Sequence, residues 1–169
     1  MLLLILKSLW FFLPIGAANM TPVISKGILK KWAFPIHEKW FGKNKTVRGL
    51  VLGILGGEIV YLLQYFINSD YLSLFNYHEF PIWVGFVLGF GALFGDLVES
   101  FIKRRLKFKP GATFFPFDQT DYTIMGLLLG SIIFSISWQI WVGVILIGIV
   151  LHILTNNIAY LLKLKDTRW

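Results

Sequence analysis

The sequence predicts an all-α integral membrane protein, a single domain of five transmembrane helices with its N-terminus outside and its C-terminus in the cytoplasm. Three observations predict it. The 169 residues are 56% hydrophobic and only 15% charged, where soluble domains run near a quarter charged, and the mean hydropathy is +0.69. Five stretches approach the ~20 apolar residues that a spanning helix needs, at roughly residues 1–20, 47–67, 82–102, 122–138 and 139–162. Finally, the bases fall on alternate connections. Lys7 apart, every Lys and Arg lies in residues 21–48, in 103–121 or in the tail after 162, and none lies in 68–81 or 137–139. The positive-inside rule then makes 21–46 and 103–121 cytoplasmic loops.

The first span could be mistaken for a cleaved signal, because Gly16-Ala17-Ala18 offers small residues. A signal opens on a basic region, whereas Met1 to Leu6 is uncharged and Lys7 interrupts the apolar run. The loop that follows mixes lysines with Trp32, Phe34, Trp40 and Phe41. That mixture suits a segment lying in the membrane interface, and it also suits a lid over a lipid headgroup. At its end, Gly42-Lys43-Asn44-Lys45-Thr46-Val47-Arg48-Gly49 brings bases and hydrogen-bonding groups to the start of the second span. Such a run can hold phosphate, although an ordinary basic loop looks the same.

Glu58 falls near the middle of the second span. A charge there costs at least ~2.5 kcal/mol, so it should face the bundle interior, neutral or paired with Gln64 or with a group on another span. Glycines recur at spacings of four: Gly49, Gly53 and Gly57, then Gly85 and Gly89, Gly91 and Gly95, then Gly126 and Gly130. They let helices pack closely in lipid, and they allow, without requiring, an oligomer. In the fifth span His152 and Asn156 lie one turn apart on one face, either as glue between helices or as part of a site.

The chemistry concentrates between Gly95 and Asp121. Asp96, Glu99, Ser100, Lys103 and Lys107 share one helical face, and Asp118 and Asp121 repeat the spacing beyond a loop broken by Pro110, Gly111 and Pro116. Carboxylates suit Mg²⁺ or a similar hard cation, and Lys and Arg suit phosphates. A site with both is equipment for phosphoryl or nucleotidyl transfer, although a set of interfacial salt bridges would use the same residues. The chain has no cysteine, which excludes disulfides, thiolate catalysis and cysteine-ligated metals. No DNA- or RNA-binding module pattern accompanies the net charge of +7, so no nucleic-acid partner is expected.

Taken in order, Asn44-Lys45-Thr46-x-Arg48-Gly49, Gly95-Asp96-x-x-Glu99-Ser100-x-x-Lys103-Arg104, Pro116-x-Asp118-Gln119-x-Asp121 and His152-x-x-x-Asn156 resemble the archaeal CDP-archaeol synthases, relatives of the phosphatidate cytidylyltransferases. The resemblance spans essentially the whole chain. The wider signature Ser-x-x-Lys-Arg is present at Ser100 to Arg104, and its terminal Asp-Arg-x-Asp stands as Asp118-Gln119-Thr120-Asp121. Its Lys-Asp pair and His-Gly-Gly loop are absent, as suits the shorter archaeal branch. The resemblance implies a Mg²⁺-dependent cytidylyltransferase of archaeal phospholipid synthesis in the cell membrane, working at the cytoplasmic face. Its substrates would be CTP and unsaturated archaetidic acid (2,3-bis-O-geranylgeranylglyceryl phosphate), and its products CDP-archaeol and pyrophosphate. On that reading Asp96, Glu99, Asp118 and Asp121 hold the metal, and Asp96, Lys103, Asp118 and Asp121 are catalytic. Asn44, Lys45, Thr46, Arg48, Ser100, Lys103, Arg104 and Lys107 bind nucleotide or lipid phosphate, while Glu58, His152 and Asn156 wall the pocket. The main rival is a membrane subunit that binds a small molecule or ion for uptake, with Glu58 and His152 along its path. Such a binder should open outward, and the outer connections carry no base.

Overall fold

The computed structural model describes residues 1–68, 71–108, 112 and 114–163. The described residues form helices and no strand; an isolated antiparallel bridge joins Pro35 to Thr46. In chain order the α-helices are α1 (Leu2–Ile24), the single turn α2 (Glu38–Phe41), α3 (Val47–Ile67), α4 (Val84–Arg105), α5 (Phe117–Ile133) and α6 (Trp138–Leu161), with short 3₁₀ turns at Lys30–Trp32 and Tyr77–Glu79. Four of them, α1, α3, α4 and α6, are long and apolar enough to cross a membrane. Helix α5 has 17 residues, about 25 Å of rise.

Local chemistry sets several of these limits. The Thr46 side chain caps α3 by accepting the Gly49 N–H at 3.1 Å. Helix α4 runs on through Lys103, Arg104 and Arg105, cations that suit the negative end of the helix dipole. Helix α5 starts at Phe117, so Asp118 and Asp121 belong to its first turns and not to the preceding loop. It stops at Ile133, four residues ahead of α6, because the Phe134 backbone turns extended and its ring stacks on Phe75 with centroids 4.1 Å apart.

Helix α1 contains Pro14 and Pro22, which offer no N–H to the carbonyls of Trp10 and Ala18. Gln64 repairs the first gap, its amide donating to the Trp10 oxygen at 2.5 Å. Gln64 is therefore spent on α1 and does not answer Glu58. The Ala18 carbonyl lies over Gly53, where a Cβ would come within 2.7 Å of it. The same closeness repeats between α3 and α4 and between α4 and α5, where a Cβ on Gly91 would lie 3.0 Å from Gly126 Cα. The glycines named here are used up inside the bundle, which removes them as evidence for an oligomer.

At one end of the bundle Phe11, Phe75, Phe80, Tyr77 and Phe134 pack ring on ring. The opposite end holds the cluster of Lys45, Asp96, Glu99, Lys103, Asp118 and Asp121. Exposed apolar side chains continue along the exterior past the level of those charges: Phe94 and Ile102 bracket Asp96 and Glu99 on α4, and Phe117 and Ile124 bracket Asp118 and Asp121 on α5. The acids thus lie within the apolar belt and not beyond its edge.

Candidate active site

Two helices bring three carboxylates together. Asp96 and Glu99 stand one turn apart on α4, Asp121 faces them from α5, and one oxygen from each lies within 4.8 Å of the others. The approach depends on Gly95. A Cβ there would fall on the Asp121 carbonyl oxygen and within 2.8 Å of its carbon, so only glycine lets the two backbones meet at this point.

Two ammonium groups interleave with the acids. Lys45 Nζ lies 2.5 Å from both oxygens of Asp96. Its position comes from the connection before α3, where Ile36 N–H donates to the Lys45 carbonyl at 2.8 Å and Val47 N–H to Phe34 at 3.1 Å. Burial opposes the Lys45 charge, but Asp96, with Asp121 and Glu99 behind it, holds the ammonium above the ordinary lysine range. Lys103 Nζ bridges Glu99 and Asp118, 2.8 Å from each. Asp118 also accepts the Phe114 N–H at 3.0 Å. It orients Lys103 and stands outside the carboxylate trio, where the sequence reading put it among the metal ligands. The donors are hard oxygens, and four carboxylates face two ammonium groups, so a divalent cation fits both the donor chemistry and the residual charge.

Other expected site residues divide by geometry. Ser100 is buried beside Glu99, its hydroxyl 3.4 Å from the carboxylate. His152 lies against Tyr122, the neighbour of Asp121, with ring centroids 5.7 Å apart, and Asn156 is buried one turn further along α6. Arg104 donates to the Phe108 carbonyl at 3.0 Å; Asn44 and Lys107 are exposed. Three residues are placed elsewhere. Thr46 is the α3 cap. Arg48 is buried and donates to the Lys26 carbonyl at 2.7 Å, tying α3 to the end of α1. Glu58 packs on Gly85 in the first turn of α4. That is eleven residues from Asp96, about 16 Å along the helix, so Glu58 does not wall this pocket. The Phe86 N–H donates to the Trp83 carbonyl at 3.1 Å, and Glu58 Oε2 has no hydrogen-bond partner among the described residues. One residue was missed. Gln119 is 3% exposed between Asp118 and Asp121, and its Oε1 has no hydrogen-bond partner among the described residues. A polar side chain flanked by two acids in a helix's first turn was the available signal.

Fold and site together define a class: a helical membrane protein that builds a carboxylate and ammonium centre inside its own bundle. Comparison with known proteins narrows the class. The family model described as CarS-like CDP-archaeol synthase matches residues 1–169, and the chain belongs to the CDP-archaeol synthase family, enzymes that are CTP-dependent cytidylyltransferases. The chain is 35% identical over 181 residues to the CDP-archaeol synthase of Archaeoglobus fulgidus, covering all of both chains. It is 34% identical over 170 residues to that of Methanopyrus kandleri, covering 96% of this chain and 92% of the relative. A solved structure described as an intramembrane enzyme for archaeal membrane lipid biosynthesis superposes with a TM-score of 0.73 at 25% identity, over 90% of this chain and 94% of the other. The uptake-subunit reading is displaced by the family.

Proposed function

We propose that the chain transfers CMP from CTP to unsaturated archaetidic acid, giving CDP-archaeol and pyrophosphate, at a Mg²⁺ site held by Asp96, Glu99 and Asp121. The observation that carries this reading is the carboxylate trio contributed by two helices, flanked by Lys45 and Lys103, at a depth where the protein's exterior is still apolar. In the reaction a lipid phosphate oxygen attacks the α-phosphorus of CTP, and the bond from that phosphorus to the bridging oxygen breaks. The attacking oxygen is already ionised near neutral pH, so no side chain has to remove a proton from it. The obstacles are repulsion between two anions and charge growing on the leaving pyrophosphate. A bound divalent ion would supply charge neutralisation for both.

The chain's own residues supply the rest. Lys45 and Lys103, which balance the acids, are the groups to hold phosphates of the two substrates in line. Asp118 fixes Lys103, and Arg104, Lys107 and Asn44 line the approach from water. Exposed apolar faces of α4 and α5, around Phe94 and Ile124, offer the two isoprenoid chains a route in from the bilayer. On this reading α5 is a fifth, short span, the N-terminus lies outside, and the site of this cell-membrane enzyme opens to the cytoplasm, where CTP is found.

The test is pyrophosphate release by the purified protein in liposomes, with Mg²⁺, CTP and the lipid phosphate each omitted in turn. Release that requires all three supports the assignment. Release without lipid phosphate, or none with all present, overturns it.

A further inference from the structure

The segment before α3 presents a surface that the chemistry above does not use. Ile28, Leu29, Trp32, Phe34 and Trp40 each leave about half of their surface exposed, and Lys30, Lys31 and Lys39 are exposed among them. The acid within this stretch, Glu38, is matched by Lys43 at 3.5 Å, so the surface is net positive. The segment is also anchored to the site. The Trp40 and Phe41 rings pack on Phe101 of α4 at 6.0 and 6.4 Å, Pro35 bridges Thr46, and Lys45 reaches Asp96. It is a fixed platform at the rim of the carboxylate centre. Aromatic and aliphatic groups facing outward among lysines fit one environment, the headgroup zone of an anionic leaflet.

We infer that residues 28–40 dock on anionic lipid headgroups and concentrate the lipid phosphate substrate beside the site. This rests on the reading that the acceptor is a lipid phosphate. The platform adds to that reading a second contact with lipid, made by charge and depth and not by the reacting groups. Each base near an anionic lipid surface strengthens the attraction about fivefold, so removing two of them should weaken it by roughly 25-fold.

The experiment compares wild type with Lys30→Gln/Lys31→Gln in nanodiscs of neutral lipid carrying graded mole fractions of the lipid phosphate. Wild-type turnover settles the substrate reading by itself. The expected result for the double variant is a surface KM raised by roughly 25-fold with kcat unchanged. A second readout does not depend on turnover. The chain has no cysteine, so Leu29→Cys can carry a single nitroxide. That label should be shielded from a water-soluble relaxing agent in bilayers containing anionic lipid and accessible to it in neutral detergent. An unchanged KM, or a label equally open to water in both settings, overturns the inference. A fall in kcat at constant KM does so as well, since the lysines would then act through the placement of Lys45.

Discussion

Gly95→Ala tests whether backbone proximity sets the metal site. The added methyl would sit on the Asp121 carbonyl, 2.8 Å from its carbon and 2.9 Å from Met125 Cβ. Ordinary carbon–carbon contacts begin near 3.5 Å, so α4 and α5 must part locally by about 0.7–1 Å. Two oxygens on opposite sides of an octahedral Mg²⁺, each bonded at 2.0–2.1 Å, are at most about 4.2 Å apart. The trio already spans up to 4.8 Å, a distance that small side-chain motions can close. A further ångström shared between backbones consumes that slack. The expected loss is roughly 100-fold in kcat/KM, with a rise in the Mg²⁺ concentration for half-maximal activity and about 1–3 kcal/mol of destabilisation. Gly91→Ala is the graded control: its nearest contacts are 3.0 Å, to Gly126 Cα and the Met125 carbonyl, and its cost should be smaller. Initial rates of pyrophosphate release across a Mg²⁺ titration, with thermal unfolding in the same detergent, would measure both. A Gly95→Ala protein that turns over within twofold of wild type at unchanged Mg²⁺ dependence refutes the reasoning.

Asp96→Asn and Asp121→Asn should each lower turnover by about 100-fold or more, whereas Asp118→Asn, which disturbs Lys103 and spares the trio, should cost about tenfold; full activity in Asp121→Asn would sink the ligand assignment. A chelator should abolish pyrophosphate release and added Mg²⁺ restore it, with Ca²⁺ a poor substitute because it prefers a larger oxygen cage. Lys45→Met should lose activity while Lys45→Arg recovers little of it: a guanidinium can fork onto both Asp96 oxygens, but it is larger and more rigid than the compact ammonium seated there in a part-buried position and cannot turn its charge toward a phosphate in the same way. Glu58→Gln should leave kcat and KM within twofold, because Glu58 packs on Gly85, about 16 Å along α4 from Asp96. A catalytic collapse in Glu58→Gln at unchanged stability would return Glu58 to the site.

Much of this architecture was legible in the sequence because hydropathy and glycine spacing act locally. The sequence segment 47–67 coincides with α3, and the acids and bases at 96–103 do share a face of α4. The start of α5 was harder to read. Asp118 and Asp121 depress hydropathy and look like loop, yet a helix N-terminus favours acids, so the helix began five residues before the predicted span. The membership of the trio was not legible either. Spacing paired Asp118 with Asp121, but which of them faces Asp96 and Glu99 depends on how α5 rotates against α4, and the Gly95 contact decides that. Arg48 shows the same difficulty from the other side: its motif suits a phosphate, and its buried guanidinium instead holds the Lys26 carbonyl.

The ring-on-ring packing of Phe11, Phe75, Phe80 and Phe134 has a consequence for the cell as well as for the fold. A cluster of charges sunk into a bilayer is half of a leak: one more hydrated passage on the far side would let protons or sodium run down their gradients. On the proposed reading of a site at membrane depth, the packed rings would fill the bundle on that far side, so that ionic chemistry could proceed there while the membrane goes on storing energy.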